Sequence, residues 1–288
     1  MNHGPLLDAI RSLTWPSRRR VSGARTGTHV SRLRGRAPEL SEYRAYRQGD
    51  DPRDLDWKLL ARSDRPFVRL SDDRAIHETW FVVDASASMA FPEATRDKWR
   101  TACALTVGLA AIAQRAGDPV ALLVPGGTAS AQLAPTTRRD AVFAIGAALD
   151  AVDVGGNTPL APTLQRVATG VRLVLVTDLL GDEGAVRGLA ATHFASGGEV
   201  LVLHLVSRGE LDLDPAVALV EDPERPGEPY PVDATSAAGY GASFGAWLDA
   251  VRRDWIALGA TYVRVVAEDD PVASVRAIVA GARDQAVG

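Results

Sequence analysis

The sequence holds a single cysteine, Cys103, among 288 residues. One thiol excludes an internal disulfide and any zinc site built on cysteines, and such sparse cysteine fits a reducing cytoplasm. Cys103 stands in an apolar helical run and reads as a small buried hydrophobe. No stretch reaches the roughly 18 to 20 consecutive apolar residues that a membrane-crossing helix needs. The opening MNHGPLLDAI lacks the basic region, apolar core and small-residue cleavage site of a secretory signal. A cytoplasmic protein is the expectation. Neither a dinucleotide-binding glycine fingerprint nor a P-loop occurs. The five histidines (His3, His29, His77, His193, His204) all precede Ser243, so the Gly241–Gly245 run GASFG has no downstream histidine to serve a nucleophile elbow. That run reads as a loop that opens or interrupts a helix, and His193 and His204 read as structural.

The net charge of −4 argues against a dedicated nucleic-acid binder, which needs a concentrated basic face. Basic residues nonetheless crowd the beginning, with Arg18, Arg19 and Arg20 just after an amphipathic stretch (Leu6, Leu7, Ile10, Leu13). Residues 1–30 therefore read as a flexible or amphipathic basic segment. It either docks on the protein's own body or makes a peripheral contact with the inner membrane. Residues 31–74 form a charged extension, irregular and partly extended, in which Asp50, Asp51, Asp54 and Asp56 alternate with arginine and lysine and so predict ion pairs.

From residue 75 onward short apolar runs alternate with helical patterns. Strands are expected at Trp80–Asp84, Val120–Val124, Ala129–Leu133, Val171–Thr177, Glu199–Val206 and Thr261–Val266. Helices are expected at Thr95–Ala116, Asp140–Leu149, from the Gly155-Gly156 loop to about Thr169, and at Glu183–Ala195, Ser236–Leu258 and Val272–Ala282. The acidic, proline-rich segment at about 211–234 reads as a small β-hairpin insertion. Alternation of this kind implies an α/β fold, a mostly parallel doubly wound sheet with helices on both faces.

The stretch WFVVDASASM then stands out. Asp84, Ser86 and Ser88 recur at every second position at the end of an apolar run, and strand geometry would turn their side chains to one side. Asp178 leaves a second strand at its carboxyl end, and Thr158 sits in a glycine loop between the two. Ligands of open parallel sheets bind beyond the carboxyl ends of the strands. Two carboxylates and three hydroxyls are hard oxygen donors suited to Mg²⁺ or Mn²⁺.

These five residues resemble the metal-ion-dependent adhesion site of von Willebrand factor A-like domains: a DxSxS strand end, a later threonine and a strand-end aspartate. With RGRAPELSEYRAYRQGDDPRDLDWKLLAR ahead of it, the chain is similar to the bacterial family called domain of unknown function fifty-eight. The resemblance implies a metal site of Asp84, Ser86, Ser88, Thr158 and Asp178 holding Mg²⁺, or Mn²⁺ or Ca²⁺. It also implies a protein-interaction module, an adaptor or chaperone-like partner of a MoxR-type AAA+ ATPase or its client, with an acidic residue of the partner completing the metal. No nucleic acid is expected. A metal-dependent hydrolase or phosphatase using the same site is the alternative, set back because no histidine, lysine or further carboxylate is evident near the motif to act as base. Leu179 and Leu180 follow Asp178 where many adhesion-type domains have glycine, so the loop shape there is open.

Overall fold

In the chain from Trp80 to Val83 every residue is apolar, and in a strand such a run is covered on both faces. The computed structural model describes residues 1–16, 26–30, 42–46, 57–63, 65–70, 74–75, 77–126, 130–213, 219–220, 227, 230–231 and 234–284. Its elements run α1 (Gly4–Ala9), β1 (Thr26–Val30), β2 (Glu42–Ala45), α2 (Trp57–Ser63), β3 (Phe67–Leu70), β4 (Arg74–Ala75), β5 (Thr79–Val83), α3 (Asp97–Arg115), β6 (Val120–Val124), β7 (Ala131–Thr136), α4 (Ala141–Asp150), α5 (Ala161–Leu164), β8 (Arg172–Thr177), α6 (Glu183–Ala195), β9 (Glu199–Val206), α7 (Arg208–Leu211), β10 (Leu219–Val220), β11 (Tyr230–Pro231), α8 (Ala234–Ala257), β12 (Thr261–Val266) and α9 (Pro271–Asp284).

Six strands form the main sheet in the order β12-β9-β8-β5-β6-β7. All neighbours are parallel except β7, which returns antiparallel to β6. The α/β, mostly parallel doubly wound sheet expected from the sequence is the observed fold. After β5 the chain builds outward through β6 and β7, then crosses back to place β8 on the other side of β5. The order therefore reverses between β5 and β8, and the crevice beyond their carboxyl ends is the ligand position of such sheets.

The strand period divides the core in two. Phe81, Val83, Leu122, Val124, Val174 and Val176 face one layer, with α3 and α9. Trp80, Val82, Leu123, Leu173 and Leu175 face the other, with Val186 of α6 and Trp255 of α8. The apolar face of the N-terminal stretch packs on the first layer, where Leu6, Ile10 and Trp15 are buried. Trp15 also covers Arg172, whose guanidinium lies 4.2 Å from the indole and donates to Glu199 at 3.0 Å. No helix among the described residues is long and apolar enough to cross a membrane.

The structure departs from the sequence reading at several places, among them the strand expected at Ala129–Leu133, which is observed at Ala131–Thr136. The helix expected to run to about Thr169 stops at Leu164; Arg166 and Val167 then bond three residues back, a tighter winding that drops Val167 into the core before β8. Residues 241–245 lie inside α8 without interrupting it. The charged extension carries an antiparallel ribbon of β2 with β3 and the helix α2, and β1, from the basic segment before it, pairs antiparallel with β4. The aspartates at 50, 51, 54 and 56 lie outside the described residues. The insertion does form a hairpin, pairing Leu219 with Pro231 and Val220 with Tyr230.

Gly198 connects α6 to β9 beneath the His193 ring, whose Nε2 meets the Val171 carbonyl at 3.0 Å. A Cβ at this glycine would collide with that ring and come within 2.8 Å of the same carbonyl oxygen. Backbone cannot yield as a flexible side chain can. Gly198→Ala is expected to cost about 1 to 3 kcal/mol, read as a lower urea midpoint with an unchanged m-value.

Candidate functional site

The last β5 hydrogen bond to its neighbour runs from the Asp84 N–H to the Val176 carbonyl, at 2.8 Å. There the strand ends. Ser86 starts a 3-10 turn over Ala87–Ala90, so the strand period alone does not bring the three polar side chains together. A local turn does so: Asp84 Oδ1 accepts the Ser86 N–H at 2.9 Å, and the Ser86 and Ser88 hydroxyl oxygens lie 3.0 Å apart. The glycine loop is bonded to this turn, with the Gly155 N–H donating to the Ala85 carbonyl and the Ala87 N–H to the Gly156 carbonyl, both at 2.9 Å. Gly156 has φ +74°, a conformation that suits glycine. The loop so held delivers Thr158.

Asp84, Ser86, Ser88 and Thr158 line one cleft of about 620 Å³, with Thr177 and Leu180 on its wall. No sequence motif marks Thr177, yet its hydroxyl donates to Asp84 Oδ2 at 2.7 Å and accepts the Leu179 N–H at 3.1 Å. Leu179 takes φ +58°. Left-handed backbone costs a non-glycine residue roughly 1 to 2 kcal/mol, and burial of the leucine side chain in the second core layer offsets it. The turn after Asp178 is thus made without glycine.

Asp178 is brought beside Asp84 but not onto the cleft wall. It is 2% exposed; its Oδ2 accepts from Lys98 Nζ at 3.0 Å and its Oδ1 from the Leu180 N–H at 3.3 Å. Lys98, 0% exposed, also donates to Glu210 Oε1 at 2.5 Å, and Glu210 Oε2 takes the Ser207 N–H at 2.7 Å. The expectation of no lysine, histidine or further carboxylate near the motif is therefore corrected. Lys98, Glu210 and His204 lie behind the cleft, and Asp182 and Glu183 line it. All are engaged: Asp182 accepts the Leu160 and Ala161 N–H groups, Glu183 pairs with Arg187, and His204 Nδ1 meets the Tyr262 hydroxyl at 2.6 Å. One signal for Lys98 was present. Spacings of 4, 7, 11 and 14 put it on the same helical stripe as Ala102, Leu105, Leu109 and Ile112, a lone charge in a buried face.

Burial and then the neighbouring Asp178 charge push the Asp84 carboxyl up to about 6, against the pull of the Ser86 N–H and the Thr177 hydroxyl. Burial likewise raises Glu210, partly countered by Lys98. Burial would lower Lys98, but Asp178 and Glu210 outweigh it and its pKa rises. Burial takes His204 down to about 4, leaving it neutral at pH 7. Fully ionised, three carboxylates face one ammonium, an excess of two negative charges in a buried setting. Such an excess, with hydroxyl and carboxylate oxygens on one open wall, fits a hard dication.

Among known proteins, an uncharacterized protein of Mycobacterium bovis, Mb1516, is 28% identical over 228 residues, covering 76% of this chain and 71% of its own length. Among solved structures, an aerotolerance-related membrane protein from Bacteroides fragilis is 17% identical, with 73% of this chain and 100% of that one aligned at a TM-score of 0.44. The SpRpn10 VWA domain is 13% identical, with 70% and 94% aligned at 0.39. The family described as protein of unknown function DUF58 matches residues 42–238, well over half of the sequence, and the chain belongs to that family.

Proposed function

We propose that the protein is a metal-dependent protein-interaction module in which Ser86, Ser88 and Thr158 hold Mg²⁺, with Asp84 and Asp178 acting largely through water. A bound dication would supply an electron-poor centre, and an acidic side chain of a partner would complete it. The observation that carries this reading is the set of hydroxyl and carboxylate oxygens at the sheet's reversal point, beside three carboxylates, Asp84, Asp178 and Glu210, that have one ammonium among them. Binding is favoured over turnover because no histidine, lysine or cysteine lines the cleft among the described residues, and its carboxylates are tied to backbone N–H groups, Thr177 and Arg187. An open mouth beside Leu180, 46% exposed, suits a protein surface. The family resemblance supplies the partner class, a MoxR-type AAA+ ATPase or its client. The sparse cysteine and the basic N-terminal segment support work in the cytoplasm or at the inner membrane surface.

The test is co-purification of the tagged full chain from its own cells in Mg²⁺ or in EDTA. The partner ATPase should be retained in Mg²⁺ and lost in EDTA. With Asp84→Ala it should be lost under both conditions. Identical partners throughout would end the metal-mediated reading.

A further inference from the structure

Lys98 links the end of β8, behind the cleft, to α7. Its ammonium has three donors, and two go to carboxylates on different elements: Asp178 at the end of β8 and Glu210 on α7. Neither carboxylate can drift. Asp178 Oδ1 accepts the Leu180 N–H, while Glu210 Oε2 accepts the Ser207 N–H in a capping box. Ser207 in turn donates through its hydroxyl to Glu268 at 2.6 Å. The Lys98 ammonium also lies over the Phe91 ring, 6.0 Å from its centroid.

We propose that Lys98 is a positioning residue for the dication site, an internal counter-cation that holds Asp178 behind the cleft wall. How Lys98 divides itself between Asp178 and Glu210 then sets the ion affinity. The inference rests on the metal reading above and concerns the one member of the five-residue set that does not line the cleft. A cation in the cleft and the Lys98 ammonium draw on the same carboxylate. The lysine, tethered and desolvated in advance, therefore competes at a fixed high local concentration. Glu210 weakens that competition by holding the ammonium from the other side. Asp178 thus serves the ion at second remove, and the site stays weak enough to exchange.

The experiment measures Mn²⁺ affinity at pH 8 by calorimetry and by electron paramagnetic resonance. The wild type is compared with Glu210→Gln, the double variant K98M/E210Q and Asp84→Ala. The double variant removes one positive and one negative charge, so the formal charge around the cleft is unchanged. Its Asp178, released from the ammonium, should tighten Mn²⁺ binding by about tenfold or more. Glu210→Gln alone leaves Lys98 wholly to Asp178 and should weaken binding by about tenfold. A merely structural lysine would give a less stable double variant with unchanged or poorer affinity, and that result overturns the inference. Should the double variant not fold, unchanged or tighter binding by Glu210→Gln overturns it equally. The two readings fail differently. Wild-type binding abolished by Asp84→Ala, with no gain in the double variant, sinks only the role of Lys98. No wild-type binding at millimolar Mn²⁺ sinks the metal site itself.

Discussion

Lys98→Met is expected to lower the stability of the metal-free protein by about 3 to 5 kcal/mol. In a chain of this size that is a fall in melting temperature of roughly 5 to 8 °C. Methionine fills nearly the same volume, so the loss comes from charge and not from packing. Removing the ammonium leaves Asp178, at 2% exposed, and the partly buried Glu210 facing each other and Asp84 with no cation between them. A buried pair broken on one side costs more than the pair was worth, because the surviving charge has lost both water and its partner. Two further measurements separate this account from a general packing defect. The loss should shrink at pH 5, where the raised Glu210 and Asp84 carboxyls take up protons more readily than unfolded ones do. It should also shrink in the added presence of Glu210→Gln. An equal loss at pH 5 and pH 8 would show that the charge arithmetic is wrong.

The sheet was legible because burial on both faces leaves one solution for runs such as VALLV and EVLVLHLV, and the spacing between them is filled by helices of ordinary length. Glu183–Ala195, Glu199–Val206 and Thr261–Val266 have the bounds that periodicity gives them. The extension before β5 was not legible. Its ribbons are short and two-stranded, and residues such as Glu42 to Ala45 mix charge and aromatic without enough length to establish a period of two. Of the candidate site, Asp84, Ser86, Ser88 and Thr158 are marked by spacing and resemblance, and they share one cleft. What spacing could not give was the division of labour between the two aspartates. Asp178 and Asp84 look alike at two strand ends, and only the third dimension puts a lysine from α3, eighty positions away in sequence, against one of them. The role of Thr177 is hidden in the sequence for a related reason. Within VRLVLVT it passes for a β-branched strand residue, and its hydroxyl matters only because β5 and β8 are neighbours, which brings Asp84 within 2.7 Å.

Asp84→Asn should make the metal-free protein more stable at pH 8, by an amount on the order of 2 to 3 kcal/mol, while removing its response to metal. The sign follows from linkage. Asp84 titrates near 3.8 when exposed and at about 6 in the fold, so between those values the folded state holds the proton more tightly. Folding stability therefore falls as pH rises from about 4 to about 6 and stays lower above that. Asparagine has no charge to bury, and it can keep both contacts: its oxygen accepts the Ser86 N–H, and its amide donates to the Thr177 hydroxyl oxygen. The gain should consequently vanish near pH 4. His204, whose lowered pKa of about 4 makes both proteins lose stability as pH falls below about 6.5, cancels in the difference between the two curves. Mg²⁺ should reverse the ranking. An ion held at the proposed site would bind the folded wild type and stabilise it in proportion to the logarithm of its concentration over Kd, so the two melting temperatures should cross as Mg²⁺ is raised from zero into the millimolar range. A destabilised Asp84→Asn at pH 8 without metal would mean that the carboxylate is held for the fold. A stabilised variant whose melting temperature still rises with Mg²⁺ would place the ion elsewhere. Both results together, greater stability and loss of the metal response, are what a residue kept for binding at the expense of the fold should give.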